Sequence, residues 1–284
     1  MALVILKAVK QARAAFTLLR PEDIRERSQR VVRVGLVAVS ASGYDAMEDF
    51  LAPLNSQASQ VFRAGDPDAP GDVDLVVYEH GLDNPPGTYS YNGADQEGTV
   101  AAILEGNDDI HLALARQFPA FRGQVTDRII HTIARENALF ALATALPDVV
   151  PNLMELPWAF GEWASDTAFL TANQIRMAFL IAACCDKEVG LQHQKAEALT
   201  IGASAFGWRA LARELVGKIP LGGGLIPKGA IAYAGTYVMG KGLERLYHAN
   251  QQLTRGERRG VYQAALDRGK NMLHGMVKSP QNPL

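Results

Sequence analysis

Two glycine-bearing turns in this 284-residue chain stand where phosphate could be gripped, and neither has the residues for it. A triphosphate loop needs G-x-x-x-x-G-K-[ST] between a strand and a helix, so that backbone N–H groups and a lysine face the phosphates. Behind the β-branched run Val31 to Val39, that slot holds Ala38-Val39-Ser40-Ala41-Ser42-Gly43-Tyr44-Asp45. The lysine and the magnesium-binding hydroxyl are missing, the turn is too short, and Asp45 would repel phosphate. Triphosphate hydrolysis is therefore not expected. Another ligand at the strand ends stays open, because that edge is the usual place for one in α/β sheets. The second turn, Gly222 to Gly229 (GGGLIPKG), follows a helix rather than a strand. Ala230 stands where Ser or Thr is required, and Pro227 replaces the third glycine of a GxGxxG pattern, so this reads as a structural turn.

Other reactive sets are equally thin. The histidines His80, His111, His131, His193, His248 and His274 form no compact metal pattern. Cys184 and Cys185 are neighbours on a helix and point apart, so they make no chelating pair; a reduced setting suits them. Glu162 and Asp166 share a helical face and could do acid–base work, although a charge cluster at a helix start is the commoner case. Arg176 lies in an apolar helix and needs a partner if buried; Glu214 and Asp166 are the candidates. No catalytic residue, cofactor or metal is expected.

The elements around these residues fall into two kinds. Val31 to Val39 and Asp72 to His80 read as strands, Tyr44 to Leu54 and Asp108 to Phe118 as helices, and Thr99 to Leu104 as a third strand. Gly81 to Gly98 reads as an exposed loop. This is a small α/β domain over 31–118. An all-α bundle is expected over 122–247, with Thr126 as an N-cap and Ile129, Ile130, Ile133, Asn137 and Phe140 on one face. Its centre is the stretch Leu215 to Tyr247. Pro220, Gly222, Gly223 and Gly224 make a sharp turn there, and a helix starting near Pro227 lines up Ala232, Thr236 and Gly240 as a face of small side chains. Such a face lets a second helix come close. The hairpin can be buried in the bundle or inserted in lipid. Residues 1–30 read as a basic amphipathic helix followed by a charged linker, and 248–284 as a polar helical tail. The last residues are expected to fray.

Bulk properties narrow the partners. A net charge of -2 argues against general nucleic-acid binding. The basic amphipathic helix at Met1 to Arg20 can lie on an anionic membrane, and the small-residue face suits a protein partner or a second copy. A cytoplasmic protein, peripheral at a membrane, is the expected setting.

Several blocks carry a family resemblance. They are Leu170-Thr171-Ala172-Asn173-Gln174-Ile175-Arg176-Met177, then Arg209-Ala210-Leu211-Ala212-Arg213-Glu214-Leu215, then Ile219-Pro220, and Ala232-Tyr233-Ala234-Gly235-Thr236 with Gly240. In that order they resemble an uncharacterised bacterial helical domain, over roughly Arg122 to Tyr247. That domain often follows an Era-type GTPase domain and also occurs in a family of inner-membrane proteins. The resemblance implies a helical bundle and membrane association. It makes 31–118 a degenerate GTPase-like domain, since the nucleotide loop is missing. It supplies no active site. With the residues of the turn and of the small-residue face, the candidate structural or interaction residues are Thr171, Asn173, Gln174, Arg176, Arg209, Arg213, Glu214, Pro220, Gly222, Gly224, Thr236 and Gly240.

Overall fold

The computed structural model describes residues 19–53, 60–67, 69–143, 166–197 and 225–278. The chain forms two compact units. One comprises Glu22–Asp127 and Ala182–Val189, the other Met1–Pro21, Arg128–Ile181 and Gly190–Leu284. A small α/β unit near the N-terminus followed by helices is thus the architecture, as the alternation of strand and helix patterns predicts. The division falls inside three helices, after Pro21, Asp127 and Ile181, and the residues after 247 belong to the helical unit.

In the α/β unit four strands run parallel in the order β2-β1-β3-β4: β1 is Val34–Val37, β2 Val61–Arg63, β3 Leu75–Glu79 and β4 Tyr89–Tyr91. The paired part of the first run is shorter than its β-branched length, because Val31 and Val39 stand exposed at 52% and 78%. Helix α1 covers Pro21–Gln29, where a charged linker is expected from the sequence. Proline at its first position and Glu22 and Asp23 in the first turn favour a helix start, and Ile24 and Ser28 are buried. Helix α2 is Ala41–Leu51, capped by Ser40.

Thr99 to Leu104 is not a strand. It lies in helix α3, Gln96–Glu105, whose N-cap Asp95 accepts from Gly98 N at 2.9 Å. The cap and Glu97 behind it override the β-branched composition. The expected loop over 81–98 holds β4, and a 3-10 turn at Asp108–Ile110 leads into α4, His111–Gln117. Pro119 does not merely stop that helix. It is the first residue of the next, α5, Pro119–Ala143, a position where its missing N–H is no loss. Leu36, Met47, Ile103, Leu114, Phe118 and Phe121 are fully buried and form this unit's core.

The helical unit is built on α5, α6 (Asp166–Cys184), α7 (Leu225–Ala249) and α8 (Arg255–Lys278). Thr126 is no N-cap: it lies buried within α5. Ile130, Ile133, Asn137 and Phe140 are buried as their spacing predicts, with Ile129 only half-buried. Of the stretch expected to form an apolar hairpin, the described part is helix α7, with Pro227 as its third residue. Its small-residue face makes a close contact. A Cβ at Gly240 would lie 2.7 Å from Ile130 Cγ1 and 3.0 Å from Met177 Sδ, and one at Gly229 would lie 2.7 Å from Leu273 Cδ1. Helix α7 ends at Asn250, whose positive φ of 51 suits the left-handed position after a helix. Helix α8 then packs along it, with Ala230, Tyr233, Ala234, Ala265 and Leu273 in one buried cluster. Residues 1–18, the carboxylate pair at Glu162, the helix expected over 195–216 beyond Glu197, the turn over 215–224 and the tail after 278 lie outside the described residues.

Candidate functional site

Two places gather polar side chains, one in each unit. The first is the carboxyl edge of the parallel sheet. In the order β2-β1-β3-β4, β1 is flanked by both of the strands that follow it in sequence, so the chain reverses direction of travel between β1 and β3. Ligands in open α/β sheets bind beyond the strand ends at such a point. Here the crevice is filled from within. The Glu79 carboxylate, at the end of β3, accepts from Val39 N at 2.9 Å. A Cβ added to Gly43 would stand 2.6 Å from Glu79 Oε1, so this glycine leaves the carboxylate its room. The Ser40 hydroxyl accepts from Gly43 N at 3.1 Å, and the Ser40 and Ser42 hydroxyls lie 3.0 Å apart. A phosphate entering this turn would meet a carboxylate, and Gly43 N, one of the first N–H groups of α2, already has an acceptor.

Beside it, Arg63 forks onto Glu48 at 2.6 and 2.7 Å and reaches Asp45 at 2.7 Å. Its guanidinium lies over the Tyr44 ring at 5.2 Å. The Glu48 hydrogen bond and then the Asp45 one hold Arg63 firmly protonated. Asp45, expected to repel phosphate, is thus tied to the strand beside β1.

The second place is inside the helical unit, where α5, α6 and α7 meet. It brings together four of the residues singled out by sequence. Asn173 Nδ2 donates to Glu136 Oε2 at 2.9 Å and to Asn137 Oδ1 at 3.0 Å. Asn137 Nδ2 donates to Thr236 Oγ1 at 2.9 Å, and Gln174 Nε2 to the same hydroxyl at 3.4 Å. Arg176 Nη1 donates to Glu136 Oε2 at 3.1 Å and to Asn173 Oδ1 at 3.3 Å. Glu136, Asn137, Asn173, Gln174 and Thr236 are all buried. Both amide hydrogens of Asn173 and both lone-pair directions of Thr236 are used, which is what an interior polar group needs.

Chemically this network has one carboxylate, one guanidinium, three neutral amides and one hydroxyl, that of Thr236, which accepts from two of the amides. Glu136 was not among the expected partners of Arg176. Glu214 and the side chain of Asp166 lie outside what is described. Thr171 is half-buried two residues before Asn173 and takes no part in the bonds above. Gly240 lies one turn beyond Thr236, in the close contact already described. Arg209, Arg213, Pro220, Gly222 and Gly224 fall outside the described residues.

A smaller set ties α5 to α7 and α8. His131 Nδ1 lies 2.6 Å from the Tyr233 hydroxyl, and Arg268 Nη1 lies 2.7 Å from His131 Nε2. A guanidinium can only donate, so Nε2 is the acceptor and Nδ1–H the donor in this arrangement. The Tyr237 ring lies beneath Arg268 at 5.7 Å. Cys184 is buried, and that burial pushes its thiol far above the usual range. It is no nucleophile. Among the described residues no group of His, Cys, Asp and Glu could hold a metal ion, and no helix is long and apolar enough to cross a membrane.

The units differ most in charge. The helical unit holds 20 of the chain's 28 lysines and arginines and 10 of its 30 acids, for +10; the α/β unit, with 8 bases against 20 acids, is -12. The chain's -2 hides this. The argument from net charge against nucleic acid therefore applies to the α/β unit and not to the helical one. Compared with models of protein families, with curated proteins and with solved structures, the chain matches none of them.

Proposed function

We propose that this chain is a non-catalytic scaffold. Its α/β unit is a degenerate, GTPase-like domain that takes a protein partner instead of a triphosphate. Its basic helical unit associates with an anionic membrane surface, peripherally and from the cytoplasmic side, with the Gly/Pro-turned apolar hairpin as its centre. The observation that carries this reading is the Glu79 carboxylate seated at the switch point between β1 and β3, where a nucleotide phosphate would lie. An internal anion there satisfies Val39 N just ahead of the helix and leaves a second anion unfavourable. The buried network of Glu136, Asn173 and Arg176 has the composition of an interior tie between helices.

The test has two arms. The melting temperature should not move with GTP, ATP or cyclic nucleotides at concentrations that would add about 2–3 kcal/mol to a true binder. The full chain should float with vesicles containing anionic lipid and not with neutral ones. A clear thermal shift with a nucleotide sinks the scaffold reading and favours a second one, a diverged nucleotide-responsive switch. What favours that alternative is the parallel sheet itself, with its switch point at β1 and β3.

A further inference from the structure

We infer that the surface by which the helical unit meets anionic lipid is the exposed start of α8, with Arg255, Arg258 and Arg259 as its contact groups. The inference rests on the membrane-peripheral reading above and adds the place. These three arginines occupy i, i+3 and i+4 of one helical turn, and all are exposed. They carry like charge at a spacing where like charges repel. They also stand at the positive end of the helix dipole, where anions are favoured. Both effects work against the isolated helix, and both reverse when phosphates lie against it.

The one acid of that turn does not neutralise them. Glu257 Oε2 accepts from Thr254 N and from Thr254 Oγ1, each at 2.8 Å, and Thr254 Oγ1 accepts from Glu257 N at 3.3 Å. This T-x-x-E pair is a capping box. The other oxygen of Glu257 accepts from Arg245 Nη1 at 2.5 Å. Arg258 Nη2 reaches the Leu253 carbonyl at 3.3 Å. Among the described residues none of the three arginines pairs with a carboxylate. The whole of α8 has six basic residues against Glu257 and Asp267, a net +4 in a chain whose total is -2.

The chemistry of the corner selects lipid over other anions. Gly256 and Gly260 leave bare backbone beside the arginines, with open space around them. The large exposed apolar side chains among the described residues are Val31, Val39 and Met276, none of them here. A protein interface wants an apolar anchor, and single-stranded nucleic acid wants aromatic rings to stack on. A flat array of headgroup phosphates needs neither. Guanidinium forks match it, and the attraction adds residue by residue.

The experiment is flotation of the full chain with vesicles of phosphatidylcholine alone, and with 30 mol % phosphatidylserine, at low and high salt. The parent should bind only the anionic vesicles, and salt should release it. The variant R255Q/R258Q/R259Q should lose binding by about 100-fold, taking roughly fivefold for each charge removed. Its far-UV circular dichroism should match the parent's; if it does not, the single change Arg258→Gln replaces it and should cost about fivefold. If the parent binds and the triple variant binds as tightly, the place is wrong while the membrane reading stands. If the parent ignores both kinds of vesicle, both fail. Salt-dependent self-association abolished by the triple change would assign the corner to a second copy, and tighter binding to RNA or DNA than to vesicles would assign it to nucleic acid. Either result overturns the inference.

Discussion

Glu79 and Glu136 are both carboxylates drawn against helices, and they are held in opposite ways. Glu79 is half-buried and leans on a backbone N–H at the start of a helix, with solvent at hand. Glu136 is buried between three helices and held by Arg176 and Asn173. A group that water can reach substitutes one acceptor for another and matters little to stability. A group that water cannot reach leaves its partners stranded when it goes. The first arrangement governs what can bind. The second governs whether the helices keep their register.

That contrast sets an order of effects. Glu136→Ala should be the most damaging change, at about 3 kcal/mol, because it strands a guanidinium and an amide together. Chemical denaturation would measure it, and a loss below that of Glu79→Ala would break the comparison. Next come changes at the close approach of α7. Gly240→Ala forces a methyl into Ile130 and Met177, and Thr236→Leu both overpacks the site and removes the hydroxyl that Asn137 and Gln174 share. Each should cost about 1–3 kcal/mol. A Thr236→Leu variant as stable as the parent would show that face to be loosely packed.

The start of α8 sharpens the comparison with a third carboxylate, Glu257, which is half-buried and held by a capping box and Arg245. Thr254→Ala should cost about 1 kcal/mol through the lost cap. Backbone and hydroxyl hydrogen bonds from Thr254, and then Arg245, lower the Glu257 pKa from 4.5 to about 2. A carboxylate depressed on folding stabilises above its unfolded value and loses that contribution as the pH falls toward its folded one. The parent's extra stability over Glu257→Gln should therefore hold above about pH 4.5 and vanish as the pH is taken down to about 2. Parallel acid titrations followed by circular dichroism would check it, and a gap that persists at the lowest pH would contradict the assignment. Smallest of all, Glu79→Ala should change stability by under about 1 kcal/mol, read from the shift in melting temperature.

The legible part of the fold was the part written in periodic apolar residues. The two main strands, the helix behind the first, and the inner face of α5 follow from spacing. Four polar residues of the buried network could be named beforehand: Arg176 as a charge in an apolar helix, Thr236 on the face of small residues, and Asn173 and Gln174 in a block that carries the family resemblance. Asn173, Gln174 and Arg176 sit within one turn of α6, and Thr236 sits among alanines. Glu136 could not be named the same way. It stands between exposed Arg135 and buried Asn137, and a charge beside an exposed charge reads as solvent-facing. Besides α1, whose charges read as a linker, three shorter elements escaped for local reasons. The strands Val61–Arg63 and Tyr89–Tyr91 are too short to show alternation. In α3 one capping aspartate outweighs a β-branched run. The Glu79 carboxylate was invisible because it lies 36 positions from Gly43 in sequence, and only strand pairing brings β3 beside β1.

The division of charge has a practical side. Near pH 6.3 the chain is neutral as a sum, yet it is then a strong multipole, with one unit acidic and the other basic. Such a molecule should adsorb to both cation and anion exchangers at low ionic strength. Its solubility there should rise, not fall, as the first salt is added, because dissolved ions quench the attraction between unlike-charged units of neighbouring molecules.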